Sequence, residues 1–501
     1  MTRTTAFTLS VGRAVALVVA TPTITPNGGN FSGSVSVSLQ SATSGSAIYY
    51  TTDGSTPTQS SSLYTGAMTI TSSATVNAKA FKSGYNPSAV ASASFTNTIT
   101  GTSSTASYYV GKNGSDSNSC TQARSSNTPK LTINAALACI GTSLGAGANQ
   151  IVEVAAGVYT ETLNQAVTGQ TFPTGTSWSA PFTLQAKVGD QVTIRAGGGA
   201  GGFNMYLFLP TSANWFVIIQ GFIFDGINTG GQFEVGSCCD SPSFIRFQNN
   251  ELINNMAYHS IFVSRYASNI EILNNKIHGG VFTCTLPNCG GNGFTYPMYV
   301  SGNNLLIEGN EVYGFPSFGI HMYNAFNFTE AHNNIVRKNI FHDYGISTNG
   351  GVAILLSSGA NNTAYNNLIY NATANSEGIR IWDGCNNCSA YSNTIYNVAG
   401  VGLAATGGAN NSILKNNISF SNGTDTAFSG TGTVATNNLT TNPQFSNPAA
   451  GDFHLQSGSP AINQGADISR AIGCTDGSTC VDFAGTIRPQ GPAWDIGAYE
   501  Q

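Results

Sequence analysis

One four-residue phrase, which returns along residues 248–439, constrains this chain more than any other feature. Each copy opens with Asn; the second residue after it is usually aliphatic or Phe, and the third is usually aromatic or His. Successive copies start 25, 35, 29, 28, 26, 24 and 21 residues apart. A repeat near this length with a short strand phrase in each copy is typical of a solenoid. The copies are Asn250-Glu-Leu-Ile253, Asn275-Lys-Ile-His278, Asn310-Glu-Val-Tyr313, Asn339-Ile-Phe-His342, Asn367-Leu-Ile-Tyr370, Asn393-Thr-Ile-Tyr396, Asn417-Ile-Ser-Phe420 and a degenerate Asn438-Leu439.

The alternation within the phrase places successive residues on opposite faces of a strand. One face then carries a stripe of rings, which we interpret as a stacking column or as the bed for a covering loop. The Asn amide is both donor and acceptor, so stacked copies can bond one another, and Asn tolerates the bends between strands. The fixed phase therefore predicts an Asn ladder at a strand corner. The ring stripe comprises His278, Tyr313, His342, Tyr370 and Tyr396.

A second strand recurs between the Asn phrases, and no helical period is present. Two or three short strands per repeat predict that each copy is one coil of a parallel β-helix, with about ten to twelve coils in all. The phrases resemble those of the right-handed parallel β-helix proteins of the pectate-lyase-like group. The fold class is therefore expected to be all-β, a right-handed parallel β-helix solenoid. The second strands are 260–264, 297–301, 319–323, 351–355, 378–382 and 400–404.

The first part of the chain divides into three segments. Residues 1–20 are interpreted as a signal or leader segment, since Arg3 and Arg13 precede an apolar run with small residues around Ala20. A first strand of the next domain is the alternative. Residues 21–97 carry short alternating strands, and the strings 48–57 and 64–66 resemble the immunoglobulin-like module appended to chitobiase and β-hexosaminidase. That resemblance implies an accessory module without catalytic residues. Residues 98–106 form a Ser/Thr-rich linker to the β-helix of residues 107–501.

Both ends of the β-helix carry recognisable segments. Residues 131–139 predict an amphipathic helix, which is suited to closing the first open coil. At the other end, 442–445, 452–455, 457–463 and 495–500 form a signature similar to the tail of many bacterial surface and secreted β-helix proteins. We expect this tail to cover the last coil.

Composition bears on partners and location. Charged residues are only 8% of the chain, against roughly 25% in ordinary globular domains, and the net charge is −5. Such a surface argues against a nucleic-acid partner, which needs a basic stripe. No segment is apolar and long enough to be a transmembrane helix. A secreted or cell-surface protein that meets a polysaccharide or cell-wall glycan is expected.

The ten cysteines fall in close groups, at 120 and 139, 238 and 239, 284 and 289, 385 and 388, and 474 and 480. An even count after a candidate secretion signal predicts disulfides that pin loops. Cys385 and Cys388 could instead be half of a metal site, but no second pair is evident, so we assign no metal ligands. Calcium remains open as a cofactor.

Functional side chains of a β-helix lie in columns, because outward residues of successive coils stack about 4.8 Å apart. Alignment of the second strands predicts one outward column of Phe262, Tyr299, His321, Ala353 and Arg380. It predicts a neighbouring column of Ser264, Ser301, Tyr323, Leu355 and Trp382, followed by Asp383. Rings and an Arg on one face suit a sugar-binding groove, which the insertions 281–296 and 324–334 would wall. Solvated ladder residues are the alternative.

Two reactions fit these residues. In β-elimination of a uronic-acid polymer, Arg380 would neutralise the substrate carboxylate, and His321 or Tyr299 would remove the ring proton. Tyr323, Trp382, Asp383 and Glu377 would bind substrate. Residues 378–381 resemble a strand of alginate and chondroitin lyases of this fold. Hydrolysis would need two facing carboxylates, for which Glu377 and Asp383 are candidates. A polysaccharide lyase is the preferred function. The first alternative is a non-catalytic surface, adhesive or structural protein that binds glycans, and the second alternative is a polysaccharide hydrolase.

Overall fold

The computed structural model describes residues 17–31, 35–70, 74–97, 106–141, 143–164, 172–195, 207–209, 214–226, 233–236, 241–254, 259–279, 296–323, 331–345, 350–474 and 480–501. The chain divides into two compact units, Met1–Ser104 and Thr105–Gln501. Within these described ranges, no helix has the length and apolar character needed to cross a membrane.

The first unit is an immunoglobulin-like sandwich of two sheets around one apolar core, which includes Val37, Val76 and Phe95. The short alternating strands expected in residues 21–97 are present, among them Val35–Gln40, Ala47–Thr51 and Ala74–Phe81. One sheet has the order Thr23–Thr25, Val35–Gln40 and Met68–Ile70. The other has the order Gly29–Phe31, Ala91–Asn97, Ala74–Phe81, Ala47–Thr51 and Ser62–Leu63.

The end of the expected leader segment is folded into this sandwich. Val19 is 2% exposed in the core, and its N–H donates to the carbonyl of Asn86 at 2.9 Å. The N–H of Ala20 donates to the hydroxyl of Thr43 at 2.8 Å. Cleavage after Ala20 would therefore remove Val19 from this core. Residues 1–16 lie outside the described residues.

The second unit is a right-handed parallel β-helix whose coils contribute to three parallel sheets, here named sheets I, II and III. Sheet I has twelve strands: Tyr108–Val110, Ile151–Val154, Phe182–Ala186, Asn214–Gln220, Ser243–Gln248, Ser268–Leu273, Leu306–Glu308, Ile335–Arg337, Thr363–Tyr365, Ser389–Tyr391, Ile413–Lys415 and Val434–Thr436. The expected coil number of ten to twelve agrees with these sheets.

Sheets II and III have ten strands each. Sheet II, which holds the Asn phrases, comprises Gly157–Thr160, Val192–Arg195, Ile223–Asp225, Glu251–Ile253, Lys276–Ile277, Glu311–Tyr313, Ile340–Tyr344, Leu368–Ala372, Thr394–Val398 and Ile418–Phe420. Sheet III, which holds the second strands, comprises Leu163–Asn164, Leu207–Leu209, Phe233–Val235, His259–Val263, Tyr296–Val300, Ile320–Met322, Val352–Leu356, Glu377–Ile381, Val401–Ala405 and Thr424–Phe428.

The predicted Asn ladder is confirmed at the corner between sheets I and II. Each side-chain amide donates to the amide oxygen of the Asn in the next coil, from Asn250 through to Asn438, at 2.9 to 3.2 Å. Each oxygen also accepts the backbone N–H of the preceding ladder Asn, as from Asn310 to Asn339 at 2.9 Å. The left-handed bend falls on the residue before each ladder Asn: Asn249, Asn274, Gly309, Lys338, Asn366, Ser392, Asn416 and Asn437.

A short helix, Ile133–Leu137, lies against the first coil, as expected for a cap. Its buried residues Ile133, Ala136 and Leu137 join the core of the β-helix. The carboxylate of Glu161 accepts the N–H groups of Ile133 and Asn134 at 2.9 and 3.0 Å, which satisfies donors that a helix start leaves unpaired. Two single-turn 3₁₀ helices, Gln122–Arg124 and Pro448–Ala450, complete the helical elements of the described chain.

The C-terminal tail corrects one expectation. Instead of covering the last coil, it packs along the outer faces of sheets II and I, where Phe453 contacts the rings of Tyr370 and Tyr396. The last strand, Val434–Thr436, is exposed at all three residues. The tail contains a hairpin of Phe445–Asn447 and Asp452–Leu455. The physical reason is the ring stripe of sheet II, whose half-buried rings pack against the apolar side chains of the tail.

The tail signature has a structural role around the buried Arg488. This guanidinium donates to the carbonyls of Asp495 and Gly497 at 3.0 and 2.8 Å and lies 3.4 Å from the carboxylate of Glu500. Asp495 and Glu500 in turn accept backbone N–H groups of the tail. The signature therefore closes the tail loops onto one another through buried charges that are paired and hydrogen-bonded.

Three disulfides are described: Cys120–Cys139, Cys385–Cys388 and Cys474–Cys480. The expected disulfide role is confirmed for these pairs, and the metal alternative for Cys385 and Cys388 is wrong. Residues 238, 239, 284 and 289 lie outside the described part of the chain.

Candidate functional site

The outward column of sheet III brings together most of the predicted site residues. Strand register pairs Phe262 with Tyr299, Tyr299 with His321, His321 with Leu355, and Leu355 with Arg380. The predicted column is therefore correct except at one coil, where Leu355 replaces Ala353. Leu355 is 2% exposed and separates His321 from Arg380. Their strands are two apart, or roughly 10 Å along the sheet.

The error of two residues in that coil has a steric cause. Sequence alignment placed Gly351 opposite Gly319, but the register sets the small inward Ala353 at that position. Gly351 is needed in the turn, because a Cβ there would overlap the backbone carbonyl of Ser317. The same shift corrects the neighbouring column, in which Ser357, rather than Leu355, lies between Tyr323 and Trp382.

Sheet III strands depart from simple alternation, and this exposes a second outward column. The strands His259–Val263, Tyr296–Val300 and Glu377–Ile381 each bury their second and third residues, so the first and fourth both face outward. A period of two therefore does not predict Tyr296 and Phe318 as outward residues. The sequence does carry a signal for this second column, because an aromatic or His residue stands three positions before each of Phe262, Tyr299 and His321. The first-position column is His259, Tyr296, Phe318, Val352 and Glu377.

His321 lies within a cluster of four rings. Its imidazole stacks on Tyr296, Phe318 and Tyr323, with centroid distances of 4.7, 4.9 and 5.1 Å, and meets Tyr299 edge-on at 5.0 Å. Its Nδ1 is buried and has no hydrogen-bond partner among the described residues. An aromatic wall with one unsatisfied polar atom is suited to a ligand that has apolar faces and polar edges.

Burial shifts the titration of both predicted proton-transfer residues in the direction of their neutral forms. It lowers the pKa of His321 to about 4. Burial, followed by the nearby Tyr323, raises the pKa of Tyr299 to about 12. At neutral pH the imidazole is therefore unprotonated and can accept a proton, while the phenol is protonated and can donate one.

Arg380 and Glu377 form an ion pair at the lower end of the column. The guanidinium lies 2.6 Å from the Glu377 carboxylate. Burial raises the pKa of Glu377, although the hydrogen-bonded Arg380 opposes that rise. The Nε of Arg380 and the second carboxylate oxygen of Glu377 are buried without partners among the described residues. This pair therefore retains bonding capacity that its own contacts do not use.

Trp382 and Asp383 lie at the strand end beside this pair. The indole covers Gly407, where a Cβ would overlap the ring, and Trp382 is 38% exposed. Asp383 adopts a left-handed turn conformation and donates its N–H to the carbonyl of Gly407 at 2.9 Å. The strand Glu377–Ile381, or roughly 13 Å of extended chain, lies between Asp383 and the Glu377 position. The carboxyl groups of glycosidases lie about 5 to 10 Å apart, so this pair does not form a hydrolytic site.

No three His, Cys, Asp or Glu side chains of the described residues gather into a group that could hold a metal ion. The residues 280–295 and 324–330, which include most of the loops expected to wall the groove, lie outside the described ranges.

Comparisons with known proteins agree with this architecture. Residues 26–92 match the family described as the chitobiase/beta-hexosaminidase C-terminal domain, and residues 211–395 match the family described as the right handed beta helix region. No curated protein matches the chain.

Among solved structures, the pectate lyase Pel9A is similar at a TM-score of 0.51 and 15% identity, over 79% of this chain and 96% of that one. An alginate lyase from Paenibacillus sp. str. FPU-7 gives a TM-score of 0.41 at 15% identity, over 60% of this chain and 97% of that one. A rhamnogalacturonan lyase gives a TM-score of 0.39 at 13% identity, over 67% of this chain and 87% of that one. The first of these likenesses establishes fold alone. The chain therefore has the fold of a right-handed parallel β-helix, preceded in sequence by an immunoglobulin-like module in the region that matches the chitobiase/beta-hexosaminidase C-terminal domain.

Proposed function

We propose that this chain is a secreted, carbohydrate-active protein that binds a uronic-acid polysaccharide along sheet III and cleaves it by β-elimination. The observation that carries this proposal is the set of three buried polar atoms without partners on one outward face: His321 Nδ1, Arg380 Nε and one Glu377 oxygen. Native proteins rarely leave such atoms unsatisfied, so they mark this face as functional. The side chains of Arg380 and Glu377 are still 27% and 16% exposed, which leaves other atoms of the pair open to the hydroxyl and carboxylate groups of a sugar.

The protonation states assign the two proton-transfer roles. Neutral His321 removes the proton on the carbon next to the uronate carboxylate. The electrons of that C–H bond form a carbon–carbon double bond as the adjacent bond to the glycosidic oxygen breaks. Tyr299 donates its phenolic proton to the departing oxygen. The imidazolium then returns a proton to the tyrosinate, which restores both groups; their ring centroids lie 5.0 Å apart.

Arg380 supplies the positive charge that this reaction needs. Removal of the proton places negative charge on the carboxylate, and a guanidinium stabilises it through paired hydrogen bonds. Glu377 holds the guanidinium at 2.6 Å, and Arg380 still has unused N–H donors. Because Leu355 lies between His321 and Arg380, the cleaved uronate must lie over Leu355, so that its carboxylate reaches Arg380 while the neighbouring C–H reaches His321. Tyr323, Trp382 and Asp383 flank that path and would bind the neighbouring sugars.

The test is the ultraviolet absorbance of the unsaturated product while the purified chain is incubated with pectate, alginate and glycosaminoglycans. Activity should appear with one of these polymers, and His321→Ala, Tyr299→Phe and Arg380→Ala should each lower it by about a hundredfold or more. Arg246→Ala is a matched control, because that arginine pairs with Glu271 at 2.6 Å on sheet I with similar exposure. A parallel assay with a chelator tests for a calcium requirement.

A non-catalytic glycan-binding role is the second candidate. The observation in its favour is that Arg380 already has a carboxylate partner in Glu377. Saturable binding of a uronic-acid polymer that depends on Arg380, with neither absorbance growth nor release of reducing ends, would establish this role and refute the lyase. Reducing ends without an unsaturated product would indicate hydrolysis. The three disulfides support a secreted or cell-surface location for either role.

A further inference from the structure

A recess lies away from sheet III, between sheet II and the C-terminal tail. Its volume is about 400 Å³, which falls within the range of small-ligand sites. Tyr396 and Phe420 of sheet II form its floor, and Phe445 of the tail forms one wall. Sheet III and the proposed cleavage site contribute no residue to it, so this recess is a separate feature.

The aromatic floor continues the ring stripe of sheet II. Phe453 covers Tyr370 and contacts Tyr396, with centroid distances of 4.9 and 5.8 Å. Beyond that contact, Tyr396 and Phe420 lie side by side at 6.3 Å with a tilt of 33°, and Phe445 stands at 90° to Tyr396. Two adjacent ring faces with a perpendicular wall make a corner into which the flat apolar face of a pyranose can stack.

The polar rim of the recess consists of three side-chain amides, Asn442, Gln444 and Gln456. The oxygen of Asn442 accepts the N–H of Gln444 at 2.9 Å, and the amide nitrogen of Gln456 donates to the carbonyl of Phe445 at 2.9 Å. These contacts fix the positions of two of the amides. Their remaining donor and acceptor groups, and the amide of Gln444, make no hydrogen bond to the described residues. Amides offer both donors and acceptors, as sugar hydroxyl groups require.

The six side chains named here carry no charge. This contrasts with sheet III, where Arg380 and Glu377 provide charges for an acidic sugar. A uronate carboxylate in the recess would lose water without gaining a cation, which is unfavourable. We infer that the recess between Tyr396, Phe420 and Phe445 binds one or two neutral sugar residues of a polysaccharide. The sugar stacks on the two floor rings, and the three amides bond its hydroxyl groups.

Calorimetric titration of the full chain with neutral oligosaccharides, namely cello-, xylo-, manno- and galacto-oligosaccharides, tests this inference. At least one should bind, and Phe420→Leu should weaken that binding about tenfold, because Leu keeps apolar contact with Tyr396 but removes the ring face. Gln444→Glu, at an exposed position, should also weaken it without a change in fold. The matched control is Phe428→Leu, at an exposed Phe of the last sheet III strand.

Failure of every neutral oligosaccharide to bind, or equal affinity for wild type, Phe420→Leu and Gln444→Glu, would overturn the inference. The result is independent of the cleavage reaction. His321→Ala should retain neutral-sugar binding, and Phe420→Leu should retain β-elimination of short substrates. Absence of neutral-sugar binding with β-elimination intact would count against the recess alone, and absence of β-elimination with neutral-sugar binding intact would count against the sheet III site alone.

Discussion

The Asn ladder offers the sharpest test of what holds the coils together. Asn339 is fully buried at its centre and makes five side-chain hydrogen bonds: it accepts the backbone and side-chain N–H groups of Asn310 and donates to Ile307, Arg337 and Asn367. Asn339→Ala removes all five and leaves the backbone N–H of Asn310 without its acceptor. With net values of about 0.5 to 1 kcal/mol per bond and a penalty of about 1 kcal/mol for the buried orphan, we expect a loss of about 4 to 6 kcal/mol.

Asn438, at the end of the ladder, is the matched control. It makes three side-chain hydrogen bonds but is partly exposed, so water can replace them, and Asn438→Ala should cost about 1 kcal/mol. Urea unfolding followed by tryptophan fluorescence measures both, because the four Trp residues all lie in the β-helix unit. If the two substitutions lowered the free energy of unfolding equally, burial would not be what determines the contribution of a ladder Asn.

Three further predictions concern charge and proton transfer. With the pKa of His321 near 4 and that of Tyr299 near 12, kcat/KM should be flat from about pH 5 to 10; an acid limb near pH 6.5 would contradict the assignment. Burial tends to lower the pKa of His342, but its hydrogen bonds to Glu311 and a second carboxylate raise it overall. The protonated His342 therefore stabilises the fold fully below about pH 6.5, and this contribution is lost as the pH rises through the folded pKa. The urea midpoint of the wild type should fall over that pH range, and His342→Gln should show a smaller fall. Arg488→Met leaves buried carboxylates uncompensated and should lower the free energy of unfolding by about 3 kcal/mol in the same assay.

The repeat predicted the fold because its cause is local and recurs in every coil. The ring stripe is confirmed in both of its proposed roles: His278, Tyr313, His342 and Tyr370 stack at 4.7 to 5.2 Å, and the tail covers its lower part. The direction of the tail was not predictable, because the sequence alone does not reveal which apolar surface it will cover.

The candidate site was harder to predict because it depends on strand register and on departures from alternation. A strand with two consecutive inward residues has both its first and its fourth side chain outward. An alternating pattern therefore predicts that Arg380 faces outward, but it does not predict that Glu377 shares that face. The placement of Leu355 depended on a turn contact between Gly351 and Ser317, which distant parts of the coil bring together. Such contacts are long-range and leave no periodic trace.

The way in which the tail attaches to the side of the β-helix determines how the molecule resists force. The backbone hydrogen bonds between coils lie parallel to the axis of the β-helix. A force along that axis therefore acts on the successive coils in series. The tail bridges several coils at once, through bonds from Asn366 to Val481, from Asn416 to Ala466 and from Ala498 to Thr394. These bonds share the load with the coils they span. Among the described residues, Ile335 and Ile340 are the most upstream side chains packed against the tail clusters, so rupture under tension should begin in the coils before Ile335.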